Sequence, residues 1–194
     1  MDGIVPYLLV FVALVVAASI LLAHRRTRNW RQFAAKYRFT FKQERLLRKP
    51  RVFGEVQGRS FRLRKAETSS DTGVLGLELI EMTMGLFGRL PNGLEISKSA
   101  TSLTDAGSSH SILTGDPAFD EKVIVKGENA AEILKYLAPE RRRAVLDLLN
   151  WESADWAGVR DNRVVLIERR MVSSLAHLEK RFHFLFDVAR RLDA

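Results

Sequence analysis

Residues 3–23 form an uncharged run of 21 residues, Gly-Ile-Val-Pro-Tyr-Leu-Leu-Val-Phe-Val-Ala-Leu-Val-Val-Ala-Ala-Ser-Ile-Leu-Leu-Ala. Nothing else in the chain constrains its fold as strongly. At about 1.5 Å per residue such a run makes roughly 31 Å of helix, close to the thickness of a bilayer's hydrocarbon core. Pro6 falls in the first turn, where its missing N–H costs nothing. Tyr7 and Trp30 stand where interfacial aromatics would sit. A cleaved signal peptide is the rival reading. The Met-Asp-Gly start lacks a basic side chain, the run exceeds the usual apolar region of about 7–15 residues, and a basic segment from His24 to Arg28 follows at once. The expectation is a retained transmembrane helix.

Flanking charge sets the expected orientation. Asp2 is the only charged side chain before the run, whereas Arg25, Arg26, Arg28, Arg31, Lys36 and Arg38 follow it. By the positive-inside rule this predicts a single-pass protein of the cell (inner) membrane, with its N-terminus outside and its C-terminal domain cytoplasmic.

The net charge of +8 is unevenly spread. Residues 24–65 carry fifteen Lys or Arg against two acids, Glu44 and Glu55. Three uses compete for this stretch: holding the orientation of the anchor, adhering to anionic lipid headgroups, or neutralising nucleic-acid phosphates. The charges begin one residue after the apolar run, which favours a role at the membrane. The expected headgroup contacts are Arg25, Arg26, Arg28, Arg31, Lys36 and Arg38. Trp30, Phe33, Ala34 and Tyr37 recur at helical spacing, so they read as one apolar helix face rather than a base-stacking platform.

Beyond Pro50 the pattern alternates between strand and helix signals. Val52, Val56, Phe61 and Leu63 flank Gln57-Gly58 as a hairpin would. Ile80, Met82, Met84 and Leu86 alternate as in a strand; Pro91-Asn92-Gly93 makes a turn, and residues 94–98 a short strand. Residues 99–111 are polar, small and aperiodic, the signature of a loop. Val123–Val125 is another strand. Asn129 can cap a helix to Leu137, and Pro139 opens a second one to Leu149. A second hairpin turns at Arg160-Asp161-Asn162. Leu175, Leu178, Phe182, Leu185, Phe186, Ala189 and Leu192 form the stripe of a final helix. This is an α+β chain with an antiparallel sheet. Its expected organisation is an anchor (1–23), a basic juxtamembrane helix or linker (24–50) and a cytoplasmic α+β domain (51–194).

Catalytic signals are sparse. The chain has no cysteine, which removes disulfides, Cys-ligated metal centres and thiol nucleophiles. Thr114, Asp116, Asp120 and Glu121 could form a carboxylate cluster for a divalent cation. They lack the regular spacing of a calcium loop, so the expected role of Gly115-Asp116-Pro117 is a turn, with Phe119 plugging the core. His177 and His183 lie six residues apart and face different sides of a helix. Ser108-Ser109-His110 is adjacency without a triad, and the Gly-rich segments lack a phosphate-cradle spacing. No catalytic residue, metal ligand or cofactor is assigned.

Residues 119–127, Phe-Asp-Glu-Lys-Val-Ile-Val-Lys-Gly, are followed by residues 130–139, Ala-Ala-Glu-Ile-Leu-Lys-Tyr-Leu-Ala-Pro, and later by residues 159–166, Val-Arg-Asp-Asn-Arg-Val-Val-Leu. Together, over residues 113–168, they resemble a bacterial family of membrane-associated proteins of unknown function. Val123 stands where such blocks more often carry Phe. The resemblance implies a membrane association and brings no catalytic residues. The function expected is a membrane-anchored interaction domain for protein or anionic lipid. The rivals are a membrane-tethered hydrolase using the 114–121 acids and a membrane-bound nucleic-acid binder using residues 24–65.

Overall fold

A computed structural model describes residues 4–43, 50–66, 78–98, 111–170 and 174–194. Its elements are α1 (Ile4–Lys36), β1 (Thr40–Lys42), β2 (Arg51–Val56), β3 (Arg59–Lys65), β4 (Glu78–Gly85), β5 (Glu95–Lys98), α2 (Pro117–Asp120), β6 (Val123–Lys126), α3 (Ala130–Tyr136), α4 (Pro139–Leu149), β7 (Ala154–Arg160), β8 (Arg163–Arg170) and α5 (Leu175–Asp193). The expected 99–111 loop, apart from its last residue, and residues 44–49 of the expected juxtamembrane segment lie outside the described residues.

The strands form one eight-stranded sheet in the order β1-β2-β3-β4-β8-β7-β5-β6. All of its neighbours are antiparallel. Both expected hairpins are present. Gln57 and Gly58 turn β2 into β3 with positive φ at both positions, as do Asp161 and Asn162 between β7 and β8. That is the geometry whose twist matches paired strands. The α+β class with an antiparallel sheet is therefore the observed architecture.

Strand alternation separates two faces. Val52, Phe61, Leu63, Met82, Met84, Val164, Leu166 and Val159 all belong to the core, and α1, α4 and α5 pack over that side. Caps hold the helices where sequence placed them. Asn129 Oδ1 accepts from Ala131 N at 3.1 Å and Glu132 N at 3.3 Å. Ser174 Oγ accepts from His177 N at 3.2 Å.

The expected transmembrane helix requires correction. Among the described residues no helix is long and apolar enough to cross a membrane. The first helix continues past Ala23 as one unbroken element of 33 residues, through the basic segment, to Lys36, as the helical spacing of Trp30, Phe33, Ala34 and Tyr37 implies. Its last turns are built into the domain. Trp30, Phe33 and Ala34 are at most 2% exposed. The Phe33 ring lies 5.8 Å from Phe61 on β3 and 5.7 Å from Phe182 on α5. Tyr37 and Phe39 complete this aromatic knot, with Phe39 stacked on Phe61 at 4.8 Å. An element that carries five Arg or Lys from Arg25 to Lys36 and spends its end on core packing has the composition of a docked helix there.

The other end of the core is closed by the last turn of α5. Asp193 accepts from the guanidinium of Arg59 and from the backbone N–H groups of Phe87 and Gly88. Tyr136 donates its hydroxyl to Leu192 O at 3.1 Å, and burial pushes its pKa up to about 12.

Candidate functional site

The six basic residues expected at lipid headgroups divide into different environments. Arg25, Arg28 and Arg31 recur every third residue on the side of α1 away from Trp30 and Phe33, and all three are exposed. Arg31 holds its guanidinium 5.2 Å from the Phe41 ring. Arg26 turns inward, and burial lowers its pKa. Lys36 is committed to Glu179 of α5 at 2.8 Å, a hydrogen bond that raises its pKa despite opposing desolvation. Arg38 is exposed in the turn after the helix, with φ at 57°. The stripe available to an anion is therefore Arg25, Arg28 and Arg31. Arg25, Arg28, Asn29 and Gln32 also line an open pocket of about 410 Å³ whose far wall is Ser174.

Before this stripe, α1 leaves large apolar side chains outside. Tyr7 is 79% exposed, and Phe11, Leu14 and Leu21 are 64% each. No sequence-distant element of the described chain covers them.

The acids of the 114–121 segment are occupied by the backbone. Asp116 caps α2 by accepting from Phe119 N, and Arg142 reaches its other oxygen at 3.3 Å. Asp120 folds back to accept from Thr114 N at 2.9 Å, Thr114 Oγ1 at 2.8 Å and Gly115 N at 3.1 Å. Burial alone would raise the Asp120 pKa, but these donors outweigh it and the net shift is downward. Phe119 is 1% exposed beneath them. Glu121 points to solvent. Among the described residues no group of three His, Cys, Asp or Glu is placed to hold a metal ion. The geometry is that of a turn closed by its own carboxylates.

One charged cluster escaped the sequence reading. Glu168 on β8 and Arg181 on α5 are both fully buried, with Arg181 Nε 3.2 Å from Glu168 Oε2. His177 Nε2 lies 2.9 Å from the same oxygen, and Trp151 Nε1 and Ser153 Oγ donate to Oε1. A carboxylate can only accept, so His177 carries its proton on Nε2. Burial would raise the Glu168 pKa; the Arg181 charge and the three hydrogen-bond donors overcome it and hold the pKa below the ordinary value. The arrangement is unsuited to nucleophilic catalysis. In a Ser-His-acid triad the imidazole stands between hydroxyl and acid, whereas here the acid stands between Ser153 and His177. Three hydrogen bonds and the Arg181 ion pair already engage both Glu168 oxygens.

His183, the other histidine of α5, bonds the Tyr37 hydroxyl at 2.9 Å and helps fasten α1 to α5. A larger open pocket of about 700 Å³ lies at the β7–β8 turn, between Arg89, Pro91, Arg160 and Asp161. Comparison of the chain with family models, curated proteins and solved structures finds no match.

Proposed function

We propose that this chain is an interaction module held at the cytoplasmic face of the cell membrane by α1, without enzymatic chemistry of its own. The observation that carries the reading is the division of labour along one helix. Its last turns are core, its middle turns show Arg25, Arg28 and Arg31, and its first turns show Tyr7, Phe11, Leu14 and Leu21. Contiguous exposed apolar side chains mark a contact surface. An apolar segment next to outward arginines suits lipid, with the apolar turns seated in the leaflet and the guanidinium groups at headgroup level. The domain beyond presents its surfaces to partners from that position.

Vesicle sedimentation of the full chain tests this. It should partition to phosphatidylcholine vesicles and more strongly to vesicles containing phosphatidylglycerol. At about 1 kcal/mol per basic residue near the surface, replacing Arg25, Arg28 and Arg31 by Gln should remove on the order of a hundredfold of the anionic preference. The neutral partition should survive. A chain that stays in the supernatant with both vesicles overturns the proposal.

A further inference from the structure

The basic stretch 24–65 is continuous in sequence, but the fold divides it between two surfaces. Arg25, Arg28 and Arg31 are on α1, whose end packs on the core side of the sheet. Lys42, Arg51, Arg62 and Arg64 are on the opposite side, as strand register dictates. Phe41 pairs with Val52, Val52 with Leu63 and Leu63 with Met82, a row that faces the core. The neighbouring row, Lys42, Arg51, Arg64 and Glu81, must face outward.

This outer row places three cations directly opposite one another on three adjacent strands. At about 4.8 Å per strand they span roughly 10 Å. Like charges so placed destabilise a sheet. Glu81 relieves only the last of them, forking onto Arg64 at 2.8 and 3.0 Å. Lys42 and Arg51 are exposed and have no acid beside them in the row. The next row sets Phe53 between Thr40 and Arg62. The Phe53 ring is half-buried on this polar face, 5.5 Å from Lys42 Nζ. Glu55 lies one row further, opposite Ser60.

We infer that the β1–β3 corner of the outer sheet face binds single-stranded nucleic acid. Lys42, Arg51 and Arg62 take the phosphates, Phe53 stacks a base, and Arg64 stays on Glu81 at the edge of the patch. The exposed Lys42–Arg51 opposition, with Arg62 one row away, offers its charge to an anion. A ring ringed by cations suits a base, which brings a π-face and a phosphate together. Acyl chains would instead require apolar neighbours around Phe53. Duplex bases are already stacked and offer no free face. The inference stands independently of the role of α1, which occupies the other side of the sheet.

The test is fluorescence anisotropy of a labelled single strand of about 12 nucleotides, with the full chain held in non-ionic detergent micelles. Binding should weaken as salt rises. Arg51→Gln with Arg62→Gln should flatten the log–log salt slope by about 1.4, from roughly 0.7 per lost phosphate contact. Phe53→Leu should weaken binding about tenfold with the slope unchanged. Phe53→Tyr, which keeps the ring, should bind as wild type, and so should Arg25→Gln with Arg28→Gln. Circular dichroism of each variant checks that the sheet is intact. Absence of binding at about 50 mM salt overturns the inference. So does equal binding of duplex and heparin with no effect of Phe53→Leu, which would mark a polyanion-adhesive patch. Competition by phosphatidylglycerol vesicles that is lost in the Arg51/Arg62 variant would assign the corner to lipid and also overturn it.

Discussion

Replacing Glu168 by Gln removes one negative charge from a site where no water can substitute for it. Glu168 and Arg181 are each 0% exposed and 3.2 Å apart. Gln keeps the volume and one acceptor oxygen for Trp151 and Ser153. Its amide, however, turns two N–H donors toward His177 and Arg181, which are donors themselves. Removing one partner of a buried pair costs about 3–5 kcal/mol, because the remaining charge is uncompensated. Against a total stability of about 5–15 kcal/mol, that brings the protein near unfolding at room temperature. Arg181→Met in the same chain removes the stranded cation, so the double variant should be more stable than Glu168→Gln alone by about 2 kcal/mol or more. Urea unfolding followed by circular dichroism, with unchanged m, reads both values. The acid limb supplies a second readout. Because the folded-state pKa of Glu168 lies below its unfolded value of about 4.3, its contribution is complete above that value and is lost as pH falls through the folded pKa. Glu168→Gln should lack this component of the acid loss. A Glu168→Gln protein within about 1 kcal/mol of wild type, or a double variant no better than the single, would refute the reasoning.

Two further outcomes follow from other contacts. Phe119→Ala should cost about 3–5 kcal/mol as a core truncation, and Asp120→Asn only about 1–2, since the Thr114–Gly115 turn stays half in water; comparable losses in thermal melts, or a stabilising shift on adding calcium, would discard the turn assignment. Gly158→Ala should destabilise the β5–β7 junction, because a Cβ there would sit 2.2 Å from Ile96 O and 2.8 Å from the Trp156 ring; hydrogen exchange confined to normal rates at Ile96 and Val159 in that variant would contradict it.

Local signals wrote most of the elements. Gln57-Gly58 and Asp161-Asn162 specify hairpins by their tolerance of positive φ, and Pro139 and Asn129 mark helix starts by their chemistry. The pairing of β4 with β8, and of β5 with β7, joins segments far apart in sequence, which no local pattern encodes. The Glu168–Arg181 pair was visible only through parity. Glu168 continues the inward alternation of Val164 and Leu166, and Arg181 sits three residues after Leu178 and four before Leu185, inside the apolar stripe. Two charges on inward positions of neighbouring elements are a signal of pairing. The transmembrane assignment of α1 fails because hydropathy registers an apolar run, while the packing that ties the end of the helix into the domain comes from residues distant in sequence. The same omission hid the outer sheet face: sequence counts charges, and only strand register separates Lys42, Arg51 and Arg64 from the arginines of α1.

The junction of α1 with α5 has a consequence for biosynthesis. Phe33 leaves the ribosome well before its partner Phe182, which is synthesised 149 residues later. At about 5–20 residues per second, that interval is roughly 7–30 s. Until then the aromatic end of α1 has Tyr37 and Phe39, and then Phe61, to pack against. Asp193, 134 residues after Arg59, supplies the Arg59 contact later still. The end of α1 is thus among the last parts of the fold to be fully packed.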